Sequence, residues 1–484
     1  SEGTLTPLHR LVPGSARDGA GGEVGLTSDT LVRVTLNNGF VLWTRTDDLV
    51  RDYGKPVLSR DGADGWEFGQ LAPRHHTGGE RGLLGLGIKV LDFFDINLTS
   101  KPAWDLARLL EDKQHKGNEP GLYRCPLDGA FRMLPVDKAE KIPADKGPIL
   151  VFLHGTASGA AGSFDKLWAA DNPAGASARA AMAAQYGDRV FALQHYSLTE
   201  SPIKNALDLL EYLPVKADLH LVSHSRGGLV GEVLCLSGCN TGAGADALAA
   251  ERLDELFKAD RIIAQQLGLG PLGDLAAKRH DAGYKEDRER LRKLLDVFAT
   301  KKIRVSRFVR VACPARGTTL ASGRLDRWLS VMDFLAGKFL GEGLFLGGID
   351  FLVAVVKKRT DPRTLPGLEA MMPGSALTRL LAAPSLETSA DLSVISGDIE
   401  GESLIQSLKL MVVDWFYAAD HDLVVNTGSM SSGLRRPKGG ARFRLDRGSD
   451  VNHFSYFRNK KSVEWLQAGL TRGDSDDGGF LPIA

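Results

Sequence analysis

The sequence predicts an α/β protein with a mostly parallel central sheet covered by helices. Three observations lead to this prediction. From residue 147 onward, short apolar runs alternate with stretches of helical periodicity. One apolar run stops abruptly at a serine with small residues on both sides, and a helical pattern resumes behind it. Two stretches, at about 240–302 and 324–381, interrupt the alternation, and we expect them to be helical cap insertions.

The sequence pattern of residues 1–145 predicts a small β-rich N-terminal domain, and no motif in it indicates a role. Apolar runs lie on both sides of Asn38-Gly39, a dipeptide that strongly favours a two-residue hairpin turn. We therefore divide the chain into an N-terminal domain over 1–145 and an α/β domain with the two insertions over 146–484.

The individual elements follow from two periodicities, two residues for strands and 3.6 for helices. Strands are expected at 31–36, 40–44, 121–124, 129–134, 149–153, 189–194, 218–222, 305–312, 392–397 and 441–446. Helices are expected at 101–112, 174–185, 204–212, 291–298 and 463–470. The polar tail over 472–479 follows neither period, so we expect it to be mobile.

Composition narrows the classes of function. Lys plus Arg and Asp plus Glu both number 60, so the net charge gives no reason to expect a nucleic-acid partner. The apolar stretch at 328–356 is interrupted by four charged residues, which argues against a transmembrane helix. The first residues lack the basic and apolar parts of a signal peptide, so a cytoplasmic location is expected. Cys235 and Cys239 have no paired histidines nearby, and we expect them to be buried small residues rather than metal ligands.

The serine at the end of the run 219–222 is the central functional signal. Ser225 is flanked at two positions on each side by Ser223 and Gly227, and a chain that reverses tightly from strand to helix needs such small residues. The usual first glycine is replaced here by Ser223. The pattern indicates a nucleophile elbow with Ser225 as the nucleophile. His224 is rejected as its base, because an adjacent side chain on a tight turn points away.

A serine nucleophile needs a histidine base and a carboxylate that orients it. When the order along the chain is serine, acid, base, His453 is the best base, because it follows the last predicted strand and precedes the closing helix. Asp422, directly before the apolar residues 423–425, is the predicted acid. Asp420 in the same loop is the alternative, although an aspartate there can simply form a turn.

Two backbone N–H groups are expected to form the oxyanion hole. One is that of Arg226, the residue after the nucleophile, and the other is that of Thr156. The strand at 149–153 ends in His154-Gly155, directly before Thr156. His154 is expected to brace this loop rather than to act as a base.

Taken in order, these motifs resemble those of the lipase-like α/β-hydrolases, which are serine esterases and lipases. The matching stretches lie between residues 147 and 470: 151–156, 222–229, 311–318, 365–375, 422–425 and His453. The resemblance implies an α/β-hydrolase fold and hydrolysis of carboxylic esters through an acyl-enzyme. It implies no metal and no organic cofactor. The N-terminal domain and the insertion at 240–302 have no counterpart in it.

The substrate is expected to be a small-molecule ester or lipid. The insertion at 324–381 is rich in Phe and Leu, so it could cover the site and bind an acyl chain, or it could simply pack on the sheet. A cap of that kind is compatible with transient contact with a lipid surface. Two alternatives stay open: a phospholipase, thioesterase, amidase or acyltransferase with the same triad, and a non-catalytic hydrolase-like binding or signalling module.

Overall fold

The fold is taken from a computed structural model of the 484-residue chain. The structure describes residues 5–11, 30–36, 41–46, 55–58, 64–67, 70–71, 86–96, 100–140, 142–156, 158–239, 250–257, 284–313, 315, 365–371, 375–399, 433–448, 455–473 and 476–483.

The chain forms two compact units. The first comprises Ser1–Leu106, Gly323–Thr360 and Gly401–Ala419, and the second comprises Ala107–Ser322, Asp361–Glu400 and Asp420–Ala484. The division predicted at residues 145 and 146 stays a prediction.

The described residues of the first unit form seven strands: β1 Leu5–Leu11, β2 Leu31–Leu36, β3 Val41–Arg45, β4 Lys55–Leu58, β5 Asp64–Glu67, β6 Gln70–Leu71 and β7 Leu86–Ile96. One sheet has the strand order β1-β7-β2-β3, and β6 pairs with β7 in the same sheet. Strands β4 and β5 form a separate two-stranded sheet. The predicted hairpin is confirmed, since β2 and β3 pair antiparallel, with Thr35 opposite Val41. On the neighbouring pair, Arg33 of β2 lies opposite Asp92 of β7 and donates to its carboxylate at 2.9 Å.

In the part of the second unit that the structure describes there are nine further strands: β8 Gly121–Arg124, β9 Leu134–Pro135, β10 Ile149–Leu153, β11 Val190–Gln194, β12 Asp218–His224, β13 Arg304–Val311, β14 Asp391–Ile399, β15 Ala441–Gly448 and β16 Leu481–Pro482. The α-helices among the described residues are α1 Ser100–Gln114, which begins in the first unit, α2 Ala160–Phe164, α3 Pro173–Tyr186, α4 Pro202–Tyr212, α5 Gly227–Cys235, α6 Ala250–Leu256, α7 Lys285–Lys301, α8 Pro366–Glu369, α9 Ala376–Leu381 and α10 Lys460–Thr471.

The nine strands form one sheet in the order β16-β15-β14-β13-β12-β10-β11-β8-β9. Six neighbouring strands, from β15 to β11 in that order, run parallel, and the strands at both edges are antiparallel. This crossover order, with helices between successive strands, is that of the α/β-hydrolase fold, as predicted. The hairpin predicted over 121–134 forms as β8 and β9, but its second strand is Leu134–Pro135 rather than the predicted 129–134. Strand β8 also pairs with β11 at the edge of the large sheet.

Burial explains why the central strands lack alternation. All five residues of β10 and all five of β11 are buried, because helices cover both faces of the parallel sheet. Helices α3 and α10 pack together on one face, where Met182, Val309 and Leu466 join one apolar cluster. Helices α4, α5 and α7 pack as neighbours.

The described residues cover only parts of the predicted insertions. Helices α6 and α7 lie within 240–302, and α8 and α9 lie within 324–381. Residues 316–364, including the Phe- and Leu-rich stretch, lie outside the described residues. In the described part of the chain, no helix is long and apolar enough to cross a membrane.

The expectation of a mobile C-terminal tail was wrong for its described residues. The Arg472 side chain is 1% exposed, pairs with Asp391 and donates to the carbonyl oxygen of Asp476 at 3.0 Å. Beyond it, β16 adds to the edge of the sheet beside β15. A buried arginine among polar neighbours therefore anchors a segment whose composition indicated a free end.

Candidate active site

Ser225 lies on a sharp turn between β12 and α5. Its φ angle is +51°, a left-handed conformation that costs a residue with a Cβ about 1–2 kcal/mol. Two hydrogen bonds hold the turn: Ser225 N donates to Val311 O at 2.9 Å, and Gly228 N donates to Ser225 O at 2.9 Å. Strand, strained serine and helix follow each other within three residues, which is the geometry of a nucleophile elbow.

Glycines let the neighbouring backbone approach this turn. A Cβ on Gly227 would lie 2.2 Å from Leu153 O, so no larger residue fits there. A Cβ on Gly155 would lie 3.1 Å from the Cβ of Ser225. The loop that follows β10 therefore touches the serine, as the sequence predicts for an oxyanion loop.

The Ser225 side chain is buried, and its hydroxyl is not engaged by the described residues. The residue is 2% exposed, and within the described residues its Oγ has no hydrogen-bond partner. The buried Ser223 and Ser393 share this property, so the left-handed φ angle is what sets Ser225 apart from them.

His154 controls the orientation of the peptide that joins Gly155 to Thr156. Its Nδ1 lies 2.9 Å from Gly155 O, and its Nε2 accepts from His195 N at 3.1 Å. Because a carbonyl can only accept, the proton is on Nδ1 and the ring is neutral. The peptide is trans, so the Thr156 N–H points away from the side on which Gly155 O is held.

Three buried histidines, one of which is His154 itself, lie in or beside this loop. The rings of His154 and His195 stack at 3.8 Å between centroids, and His115 lies 6.1 Å from His154. Burial lowers the pKa of all three, that of His115 to about 4 and those of His154 and His195 well below the usual 6.5. All three rings are therefore neutral near pH 7.

This neutrality predicts acid-sensitive stability. A histidine whose pKa is lower in the folded than in the unfolded chain stabilises the fold fully above pH 6.5, and that contribution is lost as the pH falls. For His115, with a folded pKa of about 4, the loss at pH 4.5 is roughly 2–3 kcal/mol. Urea unfolding of the wild type and His115→Asn between pH 7.5 and 4.5 should show the steeper fall in the wild type. Parallel curves would contradict a neutral buried His115.

Arg226, directly after Ser225, is completely buried. Its guanidinium donates to Glu200 O at 2.6 Å, to Asn205 Oδ1 at 3.0 Å and to Gly367 O at 3.0 Å. Burial lowers its pKa to about 10, so it keeps its charge near pH 7. The side chain therefore ties the elbow to the loop that contains Glu200 and to helices α4 and α8, while its backbone N–H is at the N-terminus of α5.

A buried ion network fixes the far end of α5. Glu232 pairs with Arg310 of β13 and with Arg436, whose Nη1 lies 3.0 Å from the carboxylate, and Leu434 N donates to the same group at 3.1 Å. All three charged side chains are 0–1% exposed. Removing one partner would leave a buried charge unpaired, so the network rigidly joins residues 434–436 to the helix behind Ser225.

The predicted base His453, the predicted acid Asp422 and the alternative acid Asp420 lie outside the described residues. Phe457, four positions after His453, packs edge-on against His224, with 5.7 Å between centroids. The chain that follows the predicted base therefore reaches the neighbour of Ser225.

Sequence reasoning missed the polar residues that support the site. Glu111, His115 and Gln194 are buried under the loops beside Ser225, and none belongs to a motif. The available signal was an acid and a histidine on the same helical face as Ala107, four and eight positions later. As expected, Cys235 and Cys239 are buried.

The family model described as "Domain of unknown function (DUF7379)" matches residues 127–253 and 290–471. No curated protein matches the sequence.

Three solved structures that resemble the chain are hydrolases by description. Lipase 1 from Pelosinus fermentans is 13% identical, with a TM-score of 0.37, and the match covers 66% of this chain and 96% of that one. Phospholipase PlaB from Legionella pneumophila is 13% identical, with a TM-score of 0.36 and coverages of 69% and 61%. The Bacillus licheniformis lipase BlEst2 in propeptide form is 14% identical, with a TM-score of 0.29 and coverages of 66% and 49%. The chain thus spans about half of BlEst2 and three fifths of PlaB.

Proposed function

The chain belongs to the family described as a domain of unknown function, DUF7379, and we propose that this member is a serine hydrolase that cleaves carboxylic esters. One observation carries the proposal. Ser225 is held at a φ of +51° between a buried strand and a helix, with its Oγ unpartnered among the described residues. Strain of this kind persists only where the surrounding structure enforces it, and it gathers at functional sites.

In the proposed mechanism, the Ser225 Oγ attacks the ester carbonyl carbon while His453 accepts the hydroxyl proton. Asp422 holds the imidazole in the required tautomer and stabilises the imidazolium. The tetrahedral oxyanion receives hydrogen bonds from the backbone N–H groups of Thr156 and Arg226. His453 then protonates the leaving alcohol. In the second half of the reaction, His453 accepts a proton from water, the water attacks the acyl-Ser225 ester, and Ser225 is the leaving group.

The surroundings of the proposed donors favour this use. The contact between Gly155 and Ser225 brings the first loop to the serine, and the His154 ring holds Gly155 O on the opposite side of the peptide from the Thr156 N–H. Arg226 N is at the start of α5, where the helix dipole also favours negative charge. Donors that are fixed in advance stabilise the developing charge without reorganising.

A fluorophosphonate probe tests the proposal directly. The wild type is expected to form a covalent adduct at Ser225, identified by mass spectrometry of the peptide, because such probes react with activated serines. Ser225→Ala should not be labelled.

Ser223 provides a matched control in the same peptide. It is also a buried serine whose Oγ has no partner among the described residues, but it belongs to β12 and pairs with Leu153. Ser223→Ala should still be labelled at Ser225. A wild type that does not react would favour the non-catalytic alternative, and equal labelling of Ser225→Ala would exclude Ser225 as the reactive serine.

A further inference from the structure

Helix α1 places a carboxylate under the loop that follows β11. Glu111 is 0% exposed, and its two oxygens accept the backbone N–H groups of Ser197 at 2.6 Å, Leu198 at 2.8 Å and Thr199 at 3.0 Å. The hydroxyls of Ser197 and Thr199 also donate to it, at 3.3 and 2.6 Å. Three successive N–H groups on one buried carboxylate fix the backbone of this loop.

The same loop is held from its other side by Arg226. Glu200, the next residue along the loop, accepts the Arg226 guanidinium through its carbonyl oxygen at 2.6 Å. The negative charge of Glu111 opposes the cost of burying Arg226, since it raises the pKa of Arg226 against the effect of desolvation. The loop at 197–200 therefore connects Glu111 to the residue that carries the second proposed oxyanion donor.

His115, the residue after α1, is linked by hydrogen bonds to the start of α2, next to the loop of the first proposed donor. His115 Nδ1 lies 2.8 Å from Gln194 Nε2, and Gln194 Oε1 accepts the N–H of Ala160 at 2.8 Å. Because Ala160 N can only donate, the Gln194 amide nitrogen must face His115, which accepts. Ala160 begins α2, directly after the loop that contains Thr156.

The geometry points to Glu111 and His115 as positioning residues for the oxyanion hole, with Glu111 acting through 197–200 on Arg226 and His115 acting through Gln194 on the Thr156 loop. This inference rests on the proposed function of the same site. It assigns a catalytic purpose to a helix that lies more than 30 residues before β10 and that carries no recognisable motif. Neither side chain is proposed to touch the substrate.

Positioning residues should affect the chemical step more than substrate binding. An oxyanion forms only during the reaction, so misplaced donors lower kcat and leave KM nearly unchanged. Small displacements of catalytic groups cost up to about 100-fold, and complete loss of one donor costs about 10²–10³-fold. We expect kcat to fall about 10- to 100-fold when either support is broken.

The experiment compares kcat and KM for a soluble ester in full-length variants. Glu111→Gln keeps the size of the side chain but turns one acceptor into an NH₂ group that faces backbone donors. His115→Leu removes the acceptor for Gln194, whereas His115→Asn offers an amide oxygen near the position of Nδ1. We expect kcat of Glu111→Gln and His115→Leu to fall about 10- to 100-fold with KM within about threefold, and His115→Asn to stay within about threefold of wild type.

Asp105→Asn is the matched control, because it makes the same acid-to-amide change at an exposed position of α1. Each variant is also checked for folding by circular dichroism and thermal melting. If Glu111→Gln does not fold, the His115 pair still decides the question. Full kcat in folded His115→Leu, or equal loss in His115→Leu and His115→Asn, would overturn the inference. An inactive wild type would instead overturn the proposed function, so the two failures are distinguishable.

Discussion

Replacing Ser225 with alanine is expected to lower kcat for ester hydrolysis about 10⁶-fold, because the covalent step loses its nucleophile. Loss of stability should not accompany it. The Oγ makes no hydrogen bond among the described residues, and alanine lacks only that atom. The measurement is the steady-state rate on a chromogenic ester beside a thermal melt, with Ser223→Ala as the control that should keep its rate.

A double variant that combines Ser225→Ala with His453→Ala extends this test to His453. Residues that act as one unit in catalysis lose their effect together, so His453→Ala should cost nearly as much as Ser225→Ala, and the double variant should be no slower than either. Multiplicative losses would show that His453 acts elsewhere. Unchanged turnover in His453→Ala would remove it from the mechanism.

The elements of the α/β unit were predictable because each is amphipathic or buried over its full length. Strand β10 was predicted to the residue, and β11, β12 and β13 to within two residues at each end. Short apolar runs bounded by turn residues are typical of strands in a sheet that is covered on both faces, so their alternation with helical stretches already indicated the fold.

Edge strands were harder to predict from the sequence, because the pairing of an edge strand depends on distant partners and little on its own side-chain pattern. Strand β8 was expected only as half of a hairpin, yet it also pairs with the distant strand β11, with Leu122 opposite Leu193. Strand β16 has only two residues and follows a polar tail. Neither carries a periodicity that could be recognised.

The candidate site divides in a similar way. The elbow was predictable because a tight turn restricts residue size at Ser223, Gly227 and Gly228, and a Cβ on Gly228 would indeed lie 2.3 Å from Cys313 Sγ. The polar residues that hold the loops beside this turn were not predictable. Glu111 and Gln194 act through hydrogen bonds to backbone atoms of other segments, and such bonds leave no constraint on the neighbouring sequence.

The choice between the two aspartates has a clear expected outcome. Asp422→Asn should lower kcat about 10⁴-fold, because an amide holds the base in the wrong tautomer and cannot stabilise its cation. Asp420→Asn, the same change two positions earlier, should cost less than about tenfold if that residue only forms a turn. Steady-state rates of the two variants on one ester decide the question.

The contrast has a physical basis in the sequence. Asp422 directly precedes three apolar residues, Leu423, Val424 and Val425, a pattern that predicts a buried segment beside it, while Asp420 is separated from them by His421 and Asp422 itself. A larger loss in Asp420→Asn would transfer the role to Asp420. Full activity in both variants would mean that this loop supplies no acid, and that the base at Ser225 is oriented by another group.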